Sequence, residues 1–507
     1  VSPLLPQARF VEQAHEPLTL TSPILVSAPL QFVAEVEVFA ADLRQAIGWD
    51  VTFSPEADGA DVVIEHCETM APEGFSLRVD GRIEIAAATP TGLFYALTAL
   101  RQLGPPSLFS TSGIRLEEWV VEGVDVVDEP VYAWRGSHLD VARHFFDVET
   151  VCRHIDLIAE HRLNYLHLHL NDDQGWRVDV PSWPLLTTIG AFRAGSPVGH
   201  ENDNVQDSVP HGGYYTAEDM ARIRNYATLR HVTIVPEIDL PGHAQAVLAA
   251  YPELGNTGER FDVWNHWGIS EHVLNVSDEA LSFAEDVVLS VASHFPGSPV
   301  HIGGDECPST EWSQSPAAQA VMREHGFRET HELQGLFTTR LAAALQRAGH
   351  EVLAWDEVLD AEVPEGTTIV AWRSEAKGVE AARRGYATIM APETVFYFDV
   401  LNTDDPREPV AISPLPRVTT WRDVYGHAIV PSDMTEGEAA LVRGAQVQLW
   451  TEYIATRDHL DYMAFPRLCA FAEVVWGSAG DVDEFEVRLR RHLERLAARG
   501  VNFHPLD

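Results

Sequence analysis

The stretch Tyr165-Leu166-His167-Leu168-His169-Leu170-Asn171-Asp172-Asp173 reads as a short β-strand that runs into a cluster of polar residues. Tyr165, His167 and His169 fall on one face and the three leucines on the other. Working outward, the same arrangement recurs. Runs at 133–139, 233–238, 300–302, 351–354, 368–371, 386–390 and 445–449 also read as strands. Amphipathic helices separate them, for example at 148–161, 216–230 and 279–294, and Thr216 with Asp219 three residues later predicts a capping box. Strands alternating with helices indicate parallel β/α units. Eight such units fit an α/β chain closed into a (β/α)8 TIM barrel with long insertions better than an open sheet.

The residues before this rhythm predict a small α+β domain over 1–125, with the barrel domain occupying 126–507. Runs at 75–79 and 82–86 alternate in polarity around Asp80-Gly81, a strong hairpin signal. Pro90 opens an apolar-periodic helix to about residue 103, and a second helix over 32–47 is stopped by Gly48. This region shows no catalytic constellation.

With 76 acidic against 35 basic residues the chain carries a net charge of −41, which argues against nucleic acid or an anionic membrane surface as a partner. No run reaches the roughly 18 apolar residues of a membrane helix. The start, Val1-Ser2-Pro3-Leu4-Leu5-Pro6, shows neither a basic leader nor a long apolar core. Cys67, Cys152, Cys307 and Cys469 form no CxxC pair and no disulfide framework. These features favour a cytoplasmic location, with secretion after removal of a leader as the alternative. Oligomeric state is not legible.

A TIM barrel assembles its active site where the strands end, so the residues that follow each run are the candidates. They are Asp140 and Arg143; Asn171, Asp172 and Asp173; Asp239 and His243; Asp305 and Glu306; Trp355, Asp356 and Glu357; Trp372, Arg373 and Glu375; Tyr397 and Asp399; and Trp450 and Glu452. Carboxylates with tryptophans, and no cofactor loop, suit a sugar: indole faces stack on pyranose rings while carboxylates and arginine bind hydroxyls and move protons. No cofactor is implied. Adjacent strand residues point to opposite faces, so Asp305 and Glu306 are expected to be poorly placed to flank one bond as nucleophile and acid.

The stretch His301-Ile302-Gly303-Gly304-Asp305-Glu306 resembles the defining motif of the β-N-acetylhexosaminidases of glycoside hydrolase family 20. Asp140-Val141-Ala142-Arg143-His144, the run from His167 to Trp176, Pro236-Glu237-Ile238-Asp239-Leu240-Pro241-Gly242-His243, Leu449-Trp450-Thr451-Glu452 and the run from Tyr462 to Leu468 resemble further family motifs in family order. The resemblance implies an exo-acting, retaining hydrolase of terminal N-acetyl-D-hexosamine residues on oligosaccharides or glycoconjugates. By the same resemblance it would work by substrate-assisted catalysis. Glu306 would be the acid/base, Asp305 would orient the substrate's acetamido group and stabilise an oxazolinium ion, and Tyr397 would hydrogen-bond the acetamido oxygen. Trp355, Trp372 and Trp450, with Trp421, would wall the sugar. Arg143 and Glu452 would bind the 3- and 4-hydroxyls and Asp399 the 6-hydroxyl. Asp172 and His243 would form a relay to Glu306.

Simple packing competes for the lone tryptophans, above all Trp421, Trp264 and Trp267. Glu357, Glu375 and Asp173 read equally well as supporting groups. A metal-dependent amidohydrolase would draw on His167, His169, Asp172 and Asp239. The further His or Lys ligands it needs at the middle strands are missing from the sequence, so no metal site is expected. A non-catalytic sugar-binding barrel has no need of both Asp305 and Glu306. Within the family, a lacto-N-biosidase releasing a disaccharide is the alternative. The choice between gluco and galacto configuration is not legible.

Overall fold

In the computed structural model, which describes residues 2–54, 56–200, 203, 205–411 and 417–506, the hairpin expected at Asp80-Gly81 is present. It joins β5 (Phe75–Val79) to β6 (Ile83–Ala87), paired antiparallel, with Gly81 at φ 66°. The pair lies within a seven-stranded sheet completed by β1 (Phe10–Leu20), β2 (Ile24–Ser27), β3 (Val51–Phe53), β4 (Val62–His66) and β7 (Trp119–Asp128). Its order is β1-β7-β5-β6-β4-β2-β3. Two helices accompany it. α1 (Val33–Ile47) ends at Gly48 in a left-handed cap, and α2 (Pro90–Gln102) begins with Pro90 behind the Thr89 cap. The boundary expected at 125/126 falls inside β7, which stays paired with β5 as far as Asp128. The sheet therefore runs three residues further than the sequence suggested.

The second unit is a closed barrel of eight parallel strands. They are β8 (Trp134–Asp140), β9 (Tyr165–His169), β10 (Thr233–Glu237), β11 (Val300–His301), β12 (Val352–Trp355), β13 (Thr367–Ala371), β14 (Thr388–Met390) and β15 (Val442–Val447). Each expected strand is found, shifted by at most a few residues. The helices α3 (Val148–Glu160), α4 (Ala217–Thr228) and α5 (Asp278–Ala292) follow suit, and the Thr216/Asp219 capping box is formed. Register places Asp140, His169, Glu237 and His301 side by side across the ends of β8 to β11. A belt of polar residues thus crosses the strand ends where the catalytic face begins.

The two units meet through buried charge. Arg135 of β8 donates to Glu73 at 3.0 and 2.9 Å, to the Tyr95 hydroxyl at 2.9 Å and to the carbonyls of Tyr132 and Arg162. Arg162 pairs with Asp128 at 2.6 Å, both side chains fully buried, and the Trp476 indole donates to the other Asp128 oxygen at 2.9 Å. No helix among the described residues is long and apolar enough to cross a membrane, and the four cysteines are free thiols.

Candidate active site

The chain leaves β11 at His301 and turns sharply. Gly303 and Gly304 adopt φ 63° and 95°, and Glu306 itself adopts φ 45°. At Gly303 no side chain fits, because a Cβ would sit 1.8 Å from Asp239 Oδ1, the atom that accepts the Gly304 N–H at 2.8 Å. Left-handed backbone at a glutamate is costly, of order 1–3 kcal/mol, and such strain gathers at functional sites. Its effect here is to bring Asp305 and Glu306 to the same cavity. The strand ends before them, so the expectation that they face opposite ways is overturned.

That cavity encloses about 290 Å³. Of the residues expected in the site, Arg143, Asp172, His243, Asp305, Glu306, Trp372, Tyr397, Asp399, Trp450 and Glu452 line it. Two do not. Trp355 is fully buried beneath Trp450, ring centres 6.1 Å apart, and its indole donates to Glu237 at 2.7 Å. Lying within β12, it points into the barrel and supports the floor instead of forming a wall. Trp421 opens the short helix Trp421–Tyr425 and packs against Phe485, 5.6 Å between centres, with the Arg422 guanidinium over its ring. It belongs to the outer helical layer. Trp264 and Trp267 are not among the lining residues either.

Arg143 is fixed by what surrounds it. Asp140 accepts its backbone N–H and lies 3.2 Å from Nη1; Asp172 is 2.9 Å from Nη2; Gln174 accepts from Nε at 3.1 Å; and Glu452 stands 3.8 Å away. Burial raises the Glu452 carboxyl to about 7, against the pull of Arg143. Asp172 stays ionised well below the carboxylate range, because Arg143 and then His243 outweigh its burial. His243 reaches Asp172 with Nδ1 at 3.1 Å, while its Nε2 lies 3.8 Å from Glu306 and 4.0 Å from Asp305.

Opposite this relay, Tyr397 and Asp399 follow β14 on a segment tied to the end of β15, with Phe398 N–H on the Gln448 carbonyl at 2.8 Å. Tyr397 stacks on Trp372, 6.0 Å between centres. Neither oxygen of the buried Asp399 carboxylate receives a hydrogen bond from a described residue, and burial pushes its pKa up to about 6. Asp305 differs, because its carboxyl hydrogen-bonds that of Asp239. Burial first, and the facing Asp239 second, lift the Asp305 carboxyl well above its usual range.

The supporting acids resolve into distinct tasks. Glu357 accepts from the Trp372 indole at 2.8 Å, and Asp173 holds the loop after β10 through the Gln245 and Ser270 N–H groups, both at 3.0 Å. Glu375 starts a helix and faces His427. The sequence gives no site role to Glu393 and Arg417, which line the cavity, and names His169 only as a metal ligand of the amidohydrolase alternative. His169 lines the cavity too, and its two nitrogens both face carboxylates. The strand alternation that puts His167 and His169 on one face was the only signal for the last.

Comparison with known proteins fits this geometry. The family model described as glycosyl hydrolase family 20, catalytic domain, matches residues 132–479, and that described as glycosyl hydrolase family 20, domain 2, matches residues 1–129. A beta-hexosaminidase of Porphyromonas gingivalis is 36% identical over 470 residues, covering 92% of this chain and 58% of the relative. A beta-N-acetylhexosaminidase of Cellulomonas fimi is 30% identical over 529 residues, covering 99% of this chain and 95% of the relative. Among solved structures, a GH20 exo beta-N-acetylglucosaminidase from Vibrio harveyi in complex with N-acetylglucosamine superposes with a TM-score of 0.88 at 30% identity, covering 99% of this chain and 78% of that one. The GH20 beta-N-acetylhexosaminidase of Streptomyces coelicolor A3(2) gives 0.86 at 32% identity, covering 100% and 98%.

Proposed function

Because the chain belongs to glycosyl hydrolase family 20, we propose that its cavity binds a terminal, non-reducing N-acetylhexosamine residue and hydrolyses the β-glycosidic bond that carries it. The observation that carries this reading is the position of Glu306. It lines the 290 Å³ cavity and also a second one of about 330 Å³ bounded by Ile269, His331, Gln334 and Glu357. A proton donor to a glycosidic oxygen must stand where the sugar ends and the leaving group begins, and Glu306 stands at that border.

On the sugar side, Arg143 and Glu452 would hold the 3- and 4-hydroxyls and Asp399 the 6-hydroxyl. Trp372 and Trp450 would face the ring and the N-acetyl group. A sugar hydroxyl would supply the donor that the protein denies Asp399. Glu306 protonates the departing oxygen and then activates water. The acetamido oxygen attacks the anomeric carbon, with Tyr397 donating to that oxygen and Asp305 accepting from the acetamido N–H. The raised proton affinity of Asp305 makes it a poor resting nucleophile. Once the oxazolinium cation forms beside it, the cation favours the carboxylate, which then stabilises it. Two inversions at one carbon retain the configuration.

Product analysis on chitin oligomers tests the exo reading, with monosaccharide expected first. Initial release of a disaccharide from a milk-type tetrasaccharide would instead favour the lacto-N-biosidase alternative. Mono-, di- and trifluoroacetyl substrates test the nucleophile: turnover should fall steeply along the series, and a flat series would sink the acetamido mechanism.

A further inference from the structure

The polar belt across the ends of β8 to β11 holds a group that the mechanism above leaves unused. His169 is fully buried, with Nδ1 2.6 Å from Glu237 Oε2 and Nε2 2.9 Å from Asp172 Oδ2. A neutral imidazole has one N–H and one lone pair, so only the imidazolium can donate to both carboxylates. Burial alone would strip the proton; Glu237 and then Asp172 overcome it and lift the pKa to about 10. Glu237 is itself anchored. The Trp355 indole donates to Oε1, and His167 Nε2 lies 3.1 Å from Oε2, while His301 Nδ1, 3.0 Å from Oε1, accepts the Gly303 N–H instead.

Asp172 is the branch point. Its Oδ2 meets both His169 and Arg143, and its Oδ1 meets His243 and the Asp173 N–H. From barrel floor to mouth the groups Glu237, His169, Asp172 and His243 alternate anion and cation and end at the acid/base Glu306.

We propose that His169, donating to Glu237 and Asp172 at once, is a positioning residue for the acid/base step. It locks Asp172 in the orientation that serves His243, and so holds Glu306 ready to protonate the leaving group. Glu237 keeps the proton on the imidazole. Were His169 neutral with its N–H on Glu237, its Nε2 lone pair would confront Asp172 across 2.9 Å. Asp172 would then turn away and release His243. This inference rests on the hydrolase reading and extends the relay by two residues, of which His169 also lines the cavity.

Removing one charge alone would strand its partner in the core, so the test removes both. His169→Leu/Glu237→Gln keeps the net charge but takes the donor from Asp172. With chitobiose, whose leaving group needs a full proton, kcat should fall toward the lower end of the ~10²–10⁴-fold that general acid catalysis supplies. With a dinitrophenyl N-acetylglucosaminide, whose leaving group needs little, the loss should be about tenfold smaller. His169→Gln/Glu237→Gln returns an N–H to Asp172 and should recover much of the chitobiose loss. Equal losses on the two substrates, in whichever variant folds, would overturn the proposal, as would no loss at all. A wild-type enzyme inactive on both substrates would instead sink the hydrolase reading.

Discussion

Asp128 and Asp399 are both almost wholly buried acids, yet the chain treats them in opposite ways. Asp128, between the two domains, is met by Arg162, by the Trp476 indole and by the N–H groups of Arg9 and Glu129. Asp399, in the barrel mouth, is met by no donor among the described residues. A carboxylate saturated by its own protein is part of the scaffold. One left bare in a cavity is costly unless something else binds it. The difference separates structural from functional charge in a chain where acids are abundant everywhere.

Glu306→Gln should show the largest effect that the distinction allows. Turnover of chitobiose is expected to drop by about 10²–10⁴-fold, with the thermal midpoint essentially unmoved. A large loss of stability would mean that Glu306 also serves the scaffold. Asp128→Asn is the mirror experiment. It leaves the buried Arg162 without its counter-ion, at a cost of about 3–5 kcal/mol, to be read from urea unfolding. The specific activity of the protein that remains folded should be intact. If kcat fell as well, the interface and the mouth would not be separable.

Asp399→Asn sharpens the comparison from the other side. It removes an unpaired buried carboxylate, so at pH 8 the unliganded protein should gain on the order of 1–2 kcal/mol while KM rises. A loss of stability there would place Asp399 with Asp128.

The smallest effect lies in the pH dependence of stability. In the folded chain Asp399 and Glu452 hold their protons to about 6 and 7, against about 4 unfolded. Their contribution is therefore complete at pH 4 and is lost as the pH rises through 6 and 7. His144 and His167, lowered to about 4 chiefly by burial, act in the opposite sense below about pH 6.5, but are neutral in both states above it. Melting temperature should thus fall between about pH 6.5 and 8.5 as Glu452 gives up its proton, with His169, held to about 10, adding to the fall. It should fall by less in Glu452→Gln; Asp399, at about 6, is already largely ionised when this window opens. A rising midpoint over that range would contradict the assignment.

The eight barrel strands were legible because each is a short apolar run that stops at polar residues, and the cavity gathers those stops. The rest depends on geometry that residue spacing does not carry. Strand alternation would set Asp305 and Glu306 on opposite faces only if the strand ran through them, but β11 ends at His301 and a left-handed turn redirects both. Trp355 and Trp372 follow neighbouring strands and read alike; one lies inside β12 and points down, the other just beyond β13 and points across. Trp421 carried no positional pattern, so the sequence could not distinguish an outer-layer packing residue from a wall. His169 and Glu237 looked like ordinary members of their strands, since a residue's level in a closed barrel emerges only when neighbouring strands come into register.

The contacts around Arg135 bear on anyone who would shorten this chain. Its guanidinium is fully buried, yet it draws Glu73 and Tyr95 from the small domain, just as Arg162 draws Asp128 from that domain's last strand. Excising the first 128 residues would strip both arginines of these partners and open their sites to solvent on the underside of the catalytic barrel. The small domain is accordingly not a detachable accessory, and a minimal enzyme would have to redesign that underside before discarding it.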